Sequence, residues 1–333
     1  MARLVLAVDG GNSKTDVAVV SEDGQVLAAG RAGPFEPQRA GVAAAADVVE
    51  DALRRALAAL PPQTGPLASG TGFDHVAAYV AGADLPVEEE ALAREFAARG
   101  LGRDIVVRND TFALLRAGAS NAWGVAVVCG AGINAVGVSP SGQVARFPAL
   151  GRISGDWGGG AVLAEEALWH AVRAEDGRGP ATALAGLVTA HFGTATVEEL
   201  VLKLHFGELP QATLYDLAPG VLAVAASGDP VAAALVERQA EEVAVLAEVC
   251  LRRLGLLETP TEVVLGGGIL TSGDPLLTAL LQTAFAARAP LAETVVADVP
   301  PIVGAALNGL EHLGAGEAAK ARLRARYVPA PAG

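Results

Sequence analysis

Residues 21–26, Ser-Glu-Asp-Gly-Gln-Val, return as Ser-Pro-Ser-Gly-Gln-Val at 139–144. The same shift of 118 positions lays Gly130, Ala131 and Gly132 over Asn12, Ser13 and Lys14. Both turns are flanked by strand-like runs. Leu4 to Val8 is apolar and β-preferring, and Asp16 to Val20 resumes after the break. Gly124 to Cys129 and Ala135 to Val138 repeat the pattern. Each copy therefore reads as strand, glycine turn, strand, turn, strand. One duplication of this size predicts two related α/β domains, not a solenoid. A chain of 333 residues is long enough for both.

Helices fill the intervals. Gly41 to Leu60 carries apolar residues at helical spacing and stops at Pro61-Pro62. Leu67 to Gly72 reads as a short strand. Pro86, followed by three glutamates, opens a helix that ends near Gly100. Ile105 to Val107 is a short strand that delivers Asn109 and Asp110 to its C-terminal end, and Thr111 to Ala119 is a helix. In the second half, a glycine-rich loop over 150–160 feeds a helix from Ala161 to Ala174. Asp229 caps the longest helix, with Pro230 at its first position and Gly255 beyond its end. Glu262 to Leu265 is a strand ending in Gly266, Gly267 and Gly268. A helix opens at Asp274-Pro275, a last strand covers Glu293 to Val299, closing helices span 301–313 and 316–327, and 328–333 reads as a frayed tail.

Composition narrows the function classes. Hydrophobic residues make up 52% and charged ones 18%, so a large core is available. No run approaches the ~18 apolar residues of a membrane span, and the opening Met-Ala-Arg is too short for a signal peptide. The net charge of −13 argues against nucleic acid and anionic membrane as partners. Cys129 and Cys250 sit in apolar stretches, as buried thiols of a reducing, cytoplasmic compartment do.

The turn at 10–15 gathers Gly10, Gly11, Asn12, Ser13, Lys14 and Thr15, a set of backbone donors, hydroxyls and one ammonium suited to phosphate. Asp9 before it is acidic, which suits Mg²⁺ rather than phosphate. Lys14 also reads as a solvated turn residue. Gly266 to Gly268 lacks the further glycine and downstream acid of a dinucleotide fingerprint, which excludes a dehydrogenase. Taken alone, Asp110 also reads as the cap of the helix beginning at Thr111.

Three glycine turns after buried strands, two of them in homologous hairpins, resemble the actin-like ATPase superfamily of sugar kinases, actin and heat-shock chaperones. More narrowly, the chain resembles the branch that holds N-acetylglucosamine kinase and the BadF/BadG/BcrA/BcrD-type activator ATPases. The resemblance covers residues 4 to about 310 and implies two ribonuclease H-like domains with the active site in a cleft between them. The expected domains are 1–118 and 119–313, with 314–333 a closing helix and tail packing back on the first. The resemblance implies ATP with Mg²⁺ held by Asp9, phosphates at 10–15 and at Gly130, Ala131 and Gly132, and adenosine at Gly266, Gly267 and Gly268. It implies Asp110 as catalytic base toward a sugar hydroxyl, the 6-hydroxyl of an amino sugar such as N-acetylglucosamine, with Asn109, Asn134 and Asp156 near the substrate. Trp157 beside Asp156 reads equally as a packing residue. Homodimers are common in the superfamily. Two departures stand out: Ala131 replaces the usual threonine, and 33–38, Gly-Pro-Phe-Glu-Pro-Gln, lacks the asparagine of the sugar-facing loop. Two rivals remain, an activator ATPase with a cysteine-bound cluster and a nucleotide-switched binding protein without catalysis.

Overall fold

The structure is a computed structural model that describes residues 2–61 and 65–327. Pro62 and the tail at 328–333 lie outside the described residues. The chain divides into two units. The first gathers Met1–Ala126, Val138–Gln143 and the chain from Val295 onward; the second holds Val127–Gly137 and Val144–Thr294.

The first sheet runs in the order β3-β2-β1-β4-β5, with β1 Leu4–Gly10, β2 Thr15–Ser21, β3 Val26–Ala32, β4 His75–Val80 and β5 Ile105–Asn109. β1 pairs antiparallel with β2 and parallel with β4, so it lies at the centre. Side chains alternate faces along a strand. Leu4, Leu6 and Val8 join a core with Phe35, Val49, Phe73, Leu92 and Phe96, drawn largely from the helices Val42–Ala58 and Pro86–Ala98. Val5 and Ala7 face the other way, where the helix Pro301–His312 lies against β1, β4 and the helix Asp110–Gly118. Both faces of β1 are covered, which is why it reads as a continuous apolar run and not as an alternation.

The second sheet reads β10-β9-β6-β7-β8, with β6 Gly124–Cys129, β7 Ile133–Val138, β8 Val144–Arg146, β9 Thr261–Gly266 and β10 Ala292–Val296. Read from β8, this is the strand order of the first sheet. The repeat at 21–26 and 139–144 thus marks the turns β2–β3 and β7–β8, and it extends to the whole sheet.

Two expectations need correction. Residues 67–72 contain no strand: Pro66–Ser69 is a single helical turn, with proline at its start and Gly70 left-handed at its end. The strand is β4, six residues later, whose His-Val-Ala-Ala-Tyr-Val composition signals weakly. Second, the chain returns to the first unit before 313. The helix Pro301–His312 offers small residues to its neighbours. A Cβ on Gly304 would fall into the Ala113 carbonyl, and one on Gly309 would meet Ala77 at 3.1 Å. The helix Glu317–Tyr327 follows it. Leu323 is buried, and Arg324 donates to the carbonyl oxygens of Ala117 and Arg116, both at 2.9 Å, closing the end of the 110–118 helix.

This close approach is testable. Gly304→Ala should destabilise the protein by roughly 1–3 kcal/mol, the usual cost of overpacking, as a lowered denaturant midpoint with an unchanged slope. Wild-type stability would show that the two helices can part without loss.

Candidate active site

Asp9 is the last side chain before Gly10 on β1, and alternation places it on the Val5–Ala7 face, the side of the Asp110–Gly118 helix. It stands in register with Asp16 on β2 and Tyr79 on β4. Burial pushes its carboxyl up to about 7, and the negative charges of Asp110 and then Asp16 add to the rise. Lys14 and Arg31 oppose it but do not touch it. Both face Asp16, Arg31 as a two-point contact at 2.6 and 3.0 Å and Lys14 at 3.6 Å.

Asp110 opens its helix but does not cap it. The cap is Asn109, whose Oδ1 accepts from the Thr111 amide at 3.0 Å and the Thr111 hydroxyl at 2.5 Å. Asn109 Nδ2 donates to Asp84 at 2.8 Å. The expectation of a substrate contact at Asn109 is therefore corrected. It is 4% exposed, its Oδ1 is engaged by Thr111 and its amide nitrogen by Asp84. Burial pushes the Asp110 carboxyl up to about 6, against hydrogen bonds from the backbone of Thr111 and Asp110 itself.

The turn at 10–15 divides in two. Asn12, Ser13 and Lys14 are exposed, and Gly11 closes the turn by donating to the Lys14 carbonyl at 2.8 Å. Thr15 is corrected: it is fully buried, and its hydroxyl donates to the Gly33 carbonyl at 2.9 Å. Gly10 is needed for space and not for a left-handed backbone, since a Cβ would stand 2.9 Å from both Phe35 and Val80. Phe35, from the unusual 33–38 loop, is wholly buried there.

In the second unit three glycine turns interlock. Gly160 and Ala161 donate to the carbonyls of Gly130 and Ala131 at 2.7 and 2.9 Å, and Ile269 donates to the Cys129 carbonyl at 3.1 Å. At Gly159 (φ 86°) a Cβ would meet the Ala131 carbonyl at 2.5 Å, and at Gly267 (φ 87°) it would fall into the Cys129 carbonyl. Gly130, Gly132 and Gly268 border open space, while Gly266 is buried at the end of β9. Gly130–Gly132, Gly158–Gly160 and Gly266–Gly268 thus form one surface of close backbone. Asn134 lies at the start of β7, half-buried, and accepts from the Ala135 amide at 2.7 Å. Asp156 is turned into its own loop, accepting from the Gly151 amide at 3.0 Å and the Ser154 hydroxyl at 2.6 Å. Through Oδ2 it supports its own loop. Trp157 is buried, with Arg238 stacked 4.2 Å from its ring centroid.

Two residues escaped sequence reasoning. Asp84 follows β4 and shares Asn109. Gln239 is fully buried on the helix Pro230–Arg253, and its Oε1 accepts from the Gly159 amide at 2.8 Å. The signal for Gln239 was a lone amide on the apolar stripe Val236, Ala240 and Val243.

A family model described as the BadF/BadG/BcrA/BcrD ATPase family matches residues 6–309. An N-acetyl-D-glucosamine kinase of Dictyostelium discoideum is 24% identical over 314 residues, 92% of this chain and 98% of that protein. An N-acetylmuramic acid/N-acetylglucosamine kinase of Clostridium acetobutylicum is 23% identical over 273 residues, 81% of this chain and 86% of that one. Among solved structures, a Chromobacterium violaceum protein superposes with a TM-score of 0.71 at 24% identity, covering 92% of this chain and 98% of its own. A ROK family glucokinase from Streptomyces griseus gives 0.55 at 18% identity, covering 92% and 99%. The fold is that of the actin-like ATPases.

The raised carboxyls predict an unusual pH dependence. Asp9 and Asp110 bind protons more tightly folded than unfolded. The stability this contributes is full below about pH 4 and is lost as pH rises through about 6 and about 7. In chelator-treated buffer, Asp9→Asn should exceed wild type in stability above pH 7 by on the order of 1–3 kcal/mol. The gap should shrink toward pH 4. Denaturation at several pH values checks this, and a pH-independent gap would contradict it.

Proposed function

The chain belongs to the BadF/BadG/BcrA/BcrD ATPase family, and on that premise we propose that it is an ATP-dependent sugar kinase that phosphorylates the 6-hydroxyl of an amino sugar, N-acetylglucosamine before others. The observation that carries the reading is Asp110. Asn109 supplies the helix cap, and although the Asp110 carboxyl also meets the Thr111 and Asp110 amides, its burial keeps it more basic than an ordinary carboxylate. A group at about 6 is ionised at neutral pH yet more basic than an ordinary carboxylate, which suits a base that accepts or orients a hydroxyl proton. A nucleotide switch has no need of such a group.

Asp9 fits a magnesium ion: its donors are oxygens, and the mutual repulsion of Asp9, Asp110 and Asp16 favours a cation among them. Bound there, the ion would neutralise charge on the transferring phosphoryl group. The exposed 12–14 turn offers donors to phosphate. The interlocked turns of the second unit offer backbone amides, which is all that Ala131 leaves there in place of a threonine hydroxyl. The amino-sugar assignment is supported by the two curated kinases to which the chain is similar. A cysteine-bound cluster finds no support: Cys129 and Cys250 are both fully buried, and burial pushes each thiol up to about 12.

The test is ADP release over N-acetylglucosamine, glucosamine, N-acetylmannosamine, N-acetylmuramate and glucose, with Asp110→Asn as the decisive variant. Loss of a positioned base should lower kcat by about 10²–10⁴, with ATP affinity retained and the melting temperature not lowered. Asn109→Ala, in contrast, should cost about 1 kcal/mol of stability as a lost cap. Turnover by Asp110→Asn within about threefold of wild type, far short of the expected loss, would remove the assignment. A non-sugar acceptor with the highest specificity constant would remove the substrate class.

A further inference from the structure

One side-chain cluster in the first unit serves nothing described above. His75 begins β4, Asp104 lies in the bend leading into β5, and His312 ends the helix Pro301–His312. His75 Nδ1 lies 2.9 Å from Asp104 Oδ2, and His312 Nε2 contacts the same oxygen. Two imidazole nitrogens thus converge on one carboxylate, and ligand atoms from all three residues lie within 4.8 Å of one another. His75 is in register with Val5 at the start of β1, so the cluster sits at the opposite end of the strands from Asp9.

We propose that His75, Asp104 and His312 form a binding site for a divalent transition cation of the zinc class, which fastens the end of the Pro301–His312 helix to the sheet. The donor set selects the class. Two imidazole nitrogens with one carboxylate suit zinc, cobalt or nickel, whereas magnesium and calcium call for oxygen ligands. Three protein ligands leave a fourth position for water, and the site is open enough to supply it: Asp104 is 51% exposed and His312 46%. His75 is fixed in advance, only 2% exposed. The two rings stack with centroids 4.0 Å apart and planes 9° apart. That is closer than two imidazoles on one tetrahedral ion, so coordination requires them to part. The exposed His312, at a helix end, is the ring that turns.

The ligands come from positions 75, 104 and 312, so the ion would tie together segments far apart in the chain. An ion that binds only the folded state stabilises it by mass action.

The experiment uses the full chain, free of any histidine tag and stripped with a chelator. Zn²⁺ is titrated by calorimetry, Co²⁺ is followed by its visible absorption, and melting is recorded with each. The expected result is one ion per chain bound with affinity that Asp9→Asn leaves unchanged, a melting temperature that rises with Zn²⁺ beyond any rise given by Mg²⁺, and Co²⁺ bands that Zn²⁺ displaces. His312→Ala removes an exposed side chain and should weaken binding by about tenfold or more, since even an outer-sphere partner of a metal ligand is worth that much. Asp104→Asn should act in the same direction and keeps the proposal testable if His312→Ala folds poorly. Failure to bind Zn²⁺ or Co²⁺ at one per chain overturns the site, as does binding that both variants retain at wild-type strength. Neither ATP nor sugar enters the measurement, so it stands apart from the kinase assignment.

Discussion

β1 is covered on both faces and flanked on both edges, and the chemistry of the first unit follows from where that cover ends. Leu4 to Val8 can be uniformly apolar because helices lie on either side. The carboxylate that comes next, Asp9, is held by the same packing in a place where water solvates it poorly. Its raised proton affinity is first a consequence of strand burial, to which Asp110 and Asp16 add. Asp110 reaches the same condition by another route, at the end of β5 and the start of a helix. The protein keeps two acids poorly hydrated and near one another, an arrangement that favours either a proton or a cation.

The division of labour at Asn109 and Asp110 makes this workable. A helix start left uncapped exposes unsatisfied amides, and an aspartate there would be drawn to them. Asn109 shares that demand with Asp110 through its carbonyl and turns its amide nitrogen to Asp84. In the second unit Gln239 serves a comparable end. A neutral amide from a buried helix face holds the Gly159 amide, so that three stretches of side-chain-free backbone meet.

Much of this was legible in the sequence. The shift relating 21–26 to 139–144 carried the three consecutive strands that open each sheet, because a duplicated turn implies a duplicated hairpin around it. Capping residues marked the helices at Pro86, Asp229 and Asp274 without error, since each signal is local. What failed was non-local. Gly10 looked like a turn residue, but Phe35 and Val80 decide it. Thr15 looked like a phosphate contact, but its hydroxyl meets Gly33. Asn109 and Asp110 are adjacent in sequence, and only the side-chain geometry says which one caps. Asp156 was read from its neighbours in a motif, while its hydrogen bonds lie within its own loop. β4 was missed because a strand buried on both sides needs no alternation and, rich in alanine, shows little else.

The return of the chain to the first unit has a consequence in time. Val5, Ala7 and Ala77 present a sheet face that the helix Pro301–His312 covers. On the ribosome that face is made early and its cover arrives close to the end. At roughly 5–20 residues per second, the interval is on the order of ten seconds or more. During it a partly built sheet carries an uncovered apolar surface, and its last contacts are among the longest in sequence, the kind that form slowly. The nascent protein therefore carries that apolar face uncovered through most of its synthesis, and truncation near residue 300 would remove a wall of the core rather than trim a terminus.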